Sequence, residues 1–159
     1  MLGDTGTLRV DRIYNDGRSP NDAIGAKISG GRWNPKGFVV LYASTHLSLA
    51  CLERMVHVER GTMPRRMRYA WTETPANLGS LDPTRKYVRR SLRETGEIGK
   101  QWLVHGSELA IRVPSVLIPG EDNILLHPLH PDYETLQWDS LPFEWESRLH
   151  ELIAATPRT

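Results

Sequence analysis

The sequence predicts a single α+β domain on three observations: short apolar strand segments outnumber helical ones, the two do not alternate regularly, and no linker, repeat or low-complexity tract divides the chain. Regular alternation would point instead to a doubly wound parallel sheet. At 159 residues, 39% of them apolar and 25% charged, the chain has the length and balance to bury one core.

Leu8 to Tyr14 alternates between apolar and charged residues as a half-buried strand does, and Asn15 to Pro20 is rich in turn formers. Phe38 to Ala43 is a short apolar run suited to a buried strand. Ser44 and Thr45 then offer an N-cap, and Leu47, Cys51, Met55 and Val58 recur at spacings of three and four, which predicts an amphipathic helix. Met67 to Thr74 reads as another strand, followed by a loop from Pro75 to Pro83. From Thr84 to His105 the pattern is helical and basic, interrupted at Gly96 and Gly99. Leu109 to Val113, Val116 to Ile118 and Ile124 to His127 are apolar strand candidates, separated by Pro114-Ser115 and by a Gly-Glu-Asp-Asn turn. Pro131 to Gln137 is read as a short helix, Leu141 to Glu146 as the last strand and Ser147 to Ala155 as a terminal helix.

No segment approaches the roughly 20 consecutive apolar residues of a membrane span. Met1 to Gly6 carries no basic-then-apolar leader pattern, so a cytoplasmic location is expected. A net charge of +1 argues against a general nucleic-acid binder, which needs a concentrated positive surface; any anion site here must be local. The single cysteine, Cys51, cannot form an internal disulfide and is read as core. Trp33, Trp71, Trp102, Trp138 and Trp145 are also read as core, and His127 and His130 as surface or loop residues. Arg85, Lys86, Arg89, Arg90 and Arg93 recur so as to make one helical face positive, first a solvated face and second a docking surface for an acidic partner.

The stretch richest in chemistry runs from Gly30 to Glu53. Gly30-Gly31-Arg32-Trp33-Asn34-Pro35-Lys36-Gly37 sets one guanidinium among glycines that let backbone approach a ligand, an arrangement suited to a phosphate. The next strand delivers Tyr42, and the helix after it carries Glu53 off the Leu47, Cys51, Met55 and Val58 stripe, free to face a cleft. Val113-Pro114-Ser115-Val116 and Glu121 to Leu126 add the Ser115 hydroxyl and the Asn123 amide beside strands. Each residue has a plainer role when taken alone: Glu53 as a solvated helix residue, Arg32 bonding loop carbonyls, Tyr42 as strand packing, Ser115 as a turn residue. Only their combination favours chemistry. His46, Glu53 and His57 share a helix side but lack the His-Glu-x-x-His spacing, so no metal is expected.

Together these segments resemble the RES domain, named for an arginine, a glutamate and a serine that Arg32, Glu53 and Ser115 match here. The resemblance extends from Leu8 to Leu149 through the Gly-Gly-Arg-Trp-Asn block, Tyr42, Leu52-Glu53, Val113-Pro114-Ser115, Asn123 and Ser147-Arg148-Leu149. It implies one domain over residues 1–159 with an ADP-ribosyltransferase-like fold, a mixed β-sheet core flanked by helices. It further implies an NAD-degrading toxin of a bacterial toxin–antitoxin module. The family carries another arginine on its first strand, matched by either Arg9 or Arg12, while His127 stands where relatives carry a polar amide.

Under that resemblance Glu53 stabilises the positive charge that builds on ribose as nicotinamide leaves, and Arg32 grips the pyrophosphate. Tyr42 stacks on nicotinamide or ribose, Ser115 and Asn123 supply orienting hydrogen bonds, and Arg9 or Arg12 joins the NAD site. NAD enters as substrate and no cofactor is expected. The acceptor stays open among water, phosphate and a protein side chain. A mono-ADP-ribosyltransferase acting on a cellular protein is the first alternative, and a non-catalytic binding or regulatory module built on the basic helix is the second. The implied partner is an Xre-type antitoxin, with nucleic acid reached only through it and room for a homo-oligomer within the complex.

Overall fold

The computed structural model describes residues 6–58 and 66–155, so that of the Met1 to Gly6 stretch only Gly6 lies within the described residues. Six strands form one sheet: β1 Thr7–Asn15, β2 Leu41–Ser44, β3 Met67–Pro75, β4 Ala110–Pro114, β5 Asp122–Leu126 and β6 Asp139–Phe143, ordered β4-β5-β2-β1-β3-β6. The helices are α1 Ile24–Ser29, α2 Leu47–Val56, α3 Leu92–His105 and α4 Ser147–Ala155, with a 3-10 turn at Tyr133–Thr135. The α+β class is as expected. The ladders between these strands are all antiparallel, and the parallel component of the expected mixed sheet reduces to the isolated bridge Ser80↔Arg112. No helix among the described residues is long and apolar enough to cross a membrane.

Strand alternation sends neighbouring side chains to opposite faces. Leu41, Ala43, Val10, Ile124 and Leu126 pack on one face beneath Ala23 and Tyr133. On the other, Leu125, Ile111 and Val113 meet Trp33 and Trp102, the latter on α3. Ile13 and Met67 form a third cluster with Ala50 of α2 and with Trp145, next to α4. Trp33, Trp102 and Trp145 are buried, whereas Trp71 lies partly exposed, stacked on Tyr69. Cys51 is half-buried, and burial pushes its thiol up to about 11.

The sheet is tight on one side of β1 and open on the other. β1 and β3 pair without a break from Thr7↔Pro75 to Asn15↔Met67, but β1 meets β2 only at Asp11↔Ser44. Beyond that pair the strands diverge. α2 covers the β1 side of the split, and the loop from Gly30 to Trp33 borders the β2 side.

Several boundaries differ from the sequence reading. Ser44 belongs to β2 and caps no helix; α2 starts after His46 without a side-chain cap and ends before Val58. β2 begins only at Leu41, after the turn that Gly37 makes at φ 91. α1 escapes periodicity because its six residues bury none of their side chains. Val116 to Ile118 is not a strand: the Leu117 and Ile118 amides both donate to Ser115 Oγ, folding the segment into a turn. Only Tyr133–Thr135 of the Pro131 to Gln137 stretch is helical, and β6 begins already at Asp139.

The basic helical face does not form. The buried Asp82 carboxylate accepts from the amides of Lys86, Tyr87 and Val88, which turns the chain before any helix can start. Arg85 sits at φ 56 and pairs with Asp122 at 2.7 Å, while Lys86 and Arg90 both lie against the Tyr87 ring. Only Arg93 of the run is helical, because α3 starts after Ser91 in a capping box with Glu94. His127 also departs from its expected surface position. It is buried, with Nε2 donating to Leu103 O and Nδ1 accepting from the Leu129 amide, and burial lowers its pKa.

Gly96 and Gly99 lie inside a continuous α3, pressed on the loop that carries Trp33 and Asn34. A Cβ at position 99 would lie 1.7 Å from Trp33 O, whereas one at position 96 would meet nothing closer than 3.7 Å. Gly99→Ala should therefore cost about 3 kcal/mol through a backbone clash, overriding the ~1 kcal/mol that alanine adds in a helix. Gly96→Ala is the control and should be neutral or stabilising. Urea melts of the two variants check the contrast.

Candidate active site

The split between β1 and β2 opens into a cavity of about 800 Å³, within the range of small-molecule and cofactor sites. Arg12, Arg32, Tyr42, Glu53 and Asn123 all line it, drawn from β1, the glycine loop, β2, α2 and β5.

Glu53 is held through one of its two oxygens. Ser115 Oγ donates to its Oε1 at 2.9 Å and Asn123 Nδ2 donates to the same oxygen at 2.6 Å. Oε2 receives no hydrogen bond among the described residues. Two neutral donors thus fix the carboxylate and leave one oxygen for the cavity. Ser115 is itself buried and oriented by the Leu117 and Ile118 amides, so its hydroxyl proton is committed to Glu53.

Arg32 has two tasks. Its Nη1 donates to the carbonyls of Val88 at 2.9 Å and Arg90 at 3.2 Å, fastening the turn that Asp82 builds. Nε and Nη2 hold no partner among the described residues, so a fork edge stays available at the cavity wall. The plainer reading of Arg32 as a loop clamp and the phosphate reading are thereby compatible.

Tyr42 lines the cavity and packs against the Trp33 cluster, and its hydroxyl is occupied. It accepts from the Trp33 amide at 3.0 Å and donates to Asn34 Oδ1 at 2.7 Å, and burial raises the phenol pKa. Asn34 completes the support by donating to Ala26 O and Phe38 O. Gly31 must lack a side chain, since a Cβ there would come within 2.7 Å of the Tyr42 hydroxyl. Tyr42→Phe should cost about 1–3 kcal/mol, because the Trp33 amide loses its acceptor. A denaturant midpoint shifted by less than experimental scatter would show the hydroxyl to be dispensable to the loop.

The two first-strand arginines part company. Arg9 donates Nε and Nη2 to Asp11 Oδ1 at 3.1 and 2.8 Å and lies 4.6 Å from the centre of the Trp71 ring, outside the cavity lining. Arg12 lines the cavity, donating to Pro20 O and Asp22 O, and its desolvated guanidinium falls to about 10. Two further participants have no strong mark in the sequence. Arg54 lines the cavity and donates to Asn15 Oδ1 at 2.7 Å, and Ser44 Oγ donates to Asn123 Oδ1 at 2.7 Å. Tyr42 and Ser44, two apart on one strand, share a face, but the Ser44–Asn123 contact needs the β2–β5 register. His46 and His57 flank α2 at its two ends, and no group of three His, Cys, Asp or Glu side chains among the described residues could hold a metal ion.

Comparison with known proteins gives a consistent answer. The RES domain family matches residues 9–146. A "Prs ADP-ribosylating toxin" of Sphingobium sp. (strain YBL2) is 36% identical over 133 residues, 76% of this chain and 83% of that protein. A "Toxin Res" of Yersinia enterocolitica is 34% identical over 132 residues, 79% of this chain and 87% of that protein. Among solved structures, the M. tuberculosis MbcT–MbcA toxin–antitoxin complex contains a chain of the same fold, with a TM-score of 0.63 at 21% identity, covering 96% of this chain and 91% of that one. With the family match spanning all six strands but for the first residues of β1, and two relatives aligned over most of their length, the chain belongs to the RES-domain family.

Proposed function

We propose that this protein cleaves the nicotinamide–ribose bond of NAD and acts as the toxin of a toxin–antitoxin pair. The observation that carries this reading is the Glu53 carboxylate, held through one oxygen by Ser115 and Asn123 in the cavity that Arg32 and Tyr42 also line. The reaction needs a fixed negative charge. As the bond from the ribose anomeric carbon to nicotinamide breaks, its electron pair leaves with neutral nicotinamide and the sugar becomes oxocarbenium-like. A carboxylate already aimed there stabilises that charge without reorganising. Arg32 offers its open fork edge to the pyrophosphate, and the Tyr42 ring provides a stacking surface. NAD is the substrate, and no other cofactor is required.

The acceptor that then attacks the anomeric carbon is water or inorganic phosphate in the leading reading. With water, the products are nicotinamide, ADP-ribose and one proton. Transfer to a protein side chain is a second reading, favoured by the name of the Sphingobium relative, an ADP-ribosylating toxin. The proposed partner is an Xre-type antitoxin, and the structural likeness to a chain of a toxin–antitoxin complex supports that pairing; covering of the cavity mouth is the proposed mode of inhibition.

One experiment separates these outcomes. The purified protein is incubated with NAD, with and without phosphate and with and without cell extract, and products are identified by mass spectrometry. Multiple turnovers in buffer alone establish hydrolysis. A phosphorylated sugar product that needs phosphate establishes phosphorolysis, and labelled protein without free turnover establishes transfer. Intact NAD in all conditions would overturn the proposal.

A further inference from the structure

Ser44 is a buried polar group at the cavity that the reaction as described does not use. It is 3% exposed and pairs with Asp11 in the one ladder pair between β1 and β2 among the described residues, and with Asn123 of β5 on its other side. Its hydroxyl donates to Asn123 Oδ1 at 2.7 Å, and Asn123 Nδ2 donates to Glu53 Oε1 at 2.6 Å. Thr45 reinforces the same place, with its amide and Oγ1 both on Asp122 O.

The polarity of this chain of bonds matters. An asparagine amide has an acceptor end and a donor end of nearly equal size, and packing alone does not choose between them. Glu53 Oε1 can only accept and so takes the NH2 end, while the Ser44 hydroxyl, donating to Oδ1, ties down the other end of the amide in that orientation. With the amide reversed, its oxygen would face Glu53 Oε1, acceptor against acceptor, and Glu53 would keep only Ser115. We infer that Ser44 is a positioning residue: its hydroxyl fixes the Asn123 amide in the orientation that holds the Glu53 carboxylate for the reaction. The inference deepens the NAD-cleavage proposal and rests on it, but its first test does not need turnover.

That test follows the Asn123 side-chain amide by NMR in the wild-type chain and in Ser44→Ala, Ser44→Cys and Ser44→Thr variants. Cysteine keeps the size of serine with a weak donor, and threonine keeps the hydroxyl, so a folding defect in the alanine variant leaves two informative proteins. In the wild type and in Ser44→Thr, the two NH2 protons should be well separated, with one shifted downfield by the short bond to Glu53. In Ser44→Ala and Ser44→Cys the pair should collapse toward free-amide positions. Kinetics on the same proteins should show kcat for NAD cleavage reduced about tenfold in the alanine and cysteine variants, KM within twofold of wild type, and recovery in Ser44→Thr. Unmoved Asn123 signals, or loss of activity that threonine does not restore in a folded protein, would overturn the inference. An inactive wild type with the expected NMR contrast would instead remove the NAD proposal and leave the Ser44–Asn123–Glu53 coupling standing.

Discussion

Glu53→Gln is expected to lower kcat for NAD cleavage by about 10²–10³-fold, the scale set by removing one preorganised electrostatic group from an active site. The substitution keeps the size and shape of the side chain. A glutamine carbonyl can still accept from Ser115 and Asn123, so the supports now on Oε1 survive, while the cavity-facing oxygen becomes an NH2 group and the negative charge presented to the sugar is lost. KM should change little, because the carboxylate acts on charge that exists only as the bond breaks. A denaturant midpoint near that of the wild type would show that the fold is intact. Near-normal turnover by such a folded variant would mean that another group stabilises the cation.

Arg32→Lys should weaken NAD binding by about 10- to 100-fold, as expected for charge-assisted hydrogen bonds that lose their paired geometry. A guanidinium can direct Nη1 to the Val88 and Arg90 carbonyls while its opposite edge faces a phosphate. A lysine ammonium is one point charge and cannot be in both places. Binding is best titrated in the Glu53→Gln background, where NAD survives the measurement. Equal affinity for NAD with lysine or arginine at position 32 would show that the phosphates are held elsewhere.

Much of this site could be read before folding, for identifiable reasons. Glu53 lies off the apolar stripe of its helix, so periodicity alone frees it to face a cleft, and the structure places it along the cavity. β1, β3 and α4 follow their patterns closely: Leu8 to Tyr14, Met67 to Thr74 and Ser147 to Ala155 fall within the observed Thr7–Asn15, Met67–Pro75 and Ser147–Ala155. The basic run failed as a helix because a single buried carboxylate, Asp82, outcompeted local propensity. Gly99 was legible as a glycine but not as a contact, since its reason is the close approach of Trp33 from a loop far away in sequence. Ser44, read as a helix cap, and Asn34, read only as part of the Gly-Gly-Arg-Trp-Asn block, hid their contacts for the same cause. Their partners, Asn123 and Tyr42, are set by strand register and loop closure, which no local pattern encodes.

In the proposed reaction NAD occupies the split between β1 and β2 with its nicotinamide riboside at Glu53. The most direct measurement is a crystal structure of the Glu53→Gln variant soaked with NAD, in which substrate persists. The expected density has the nicotinamide ring against Tyr42, the anomeric carbon beside residue 53, and the pyrophosphate on the free edge of Arg32. NAD bound outside this cavity, or lying in it with the adenine end at residue 53, would contradict it.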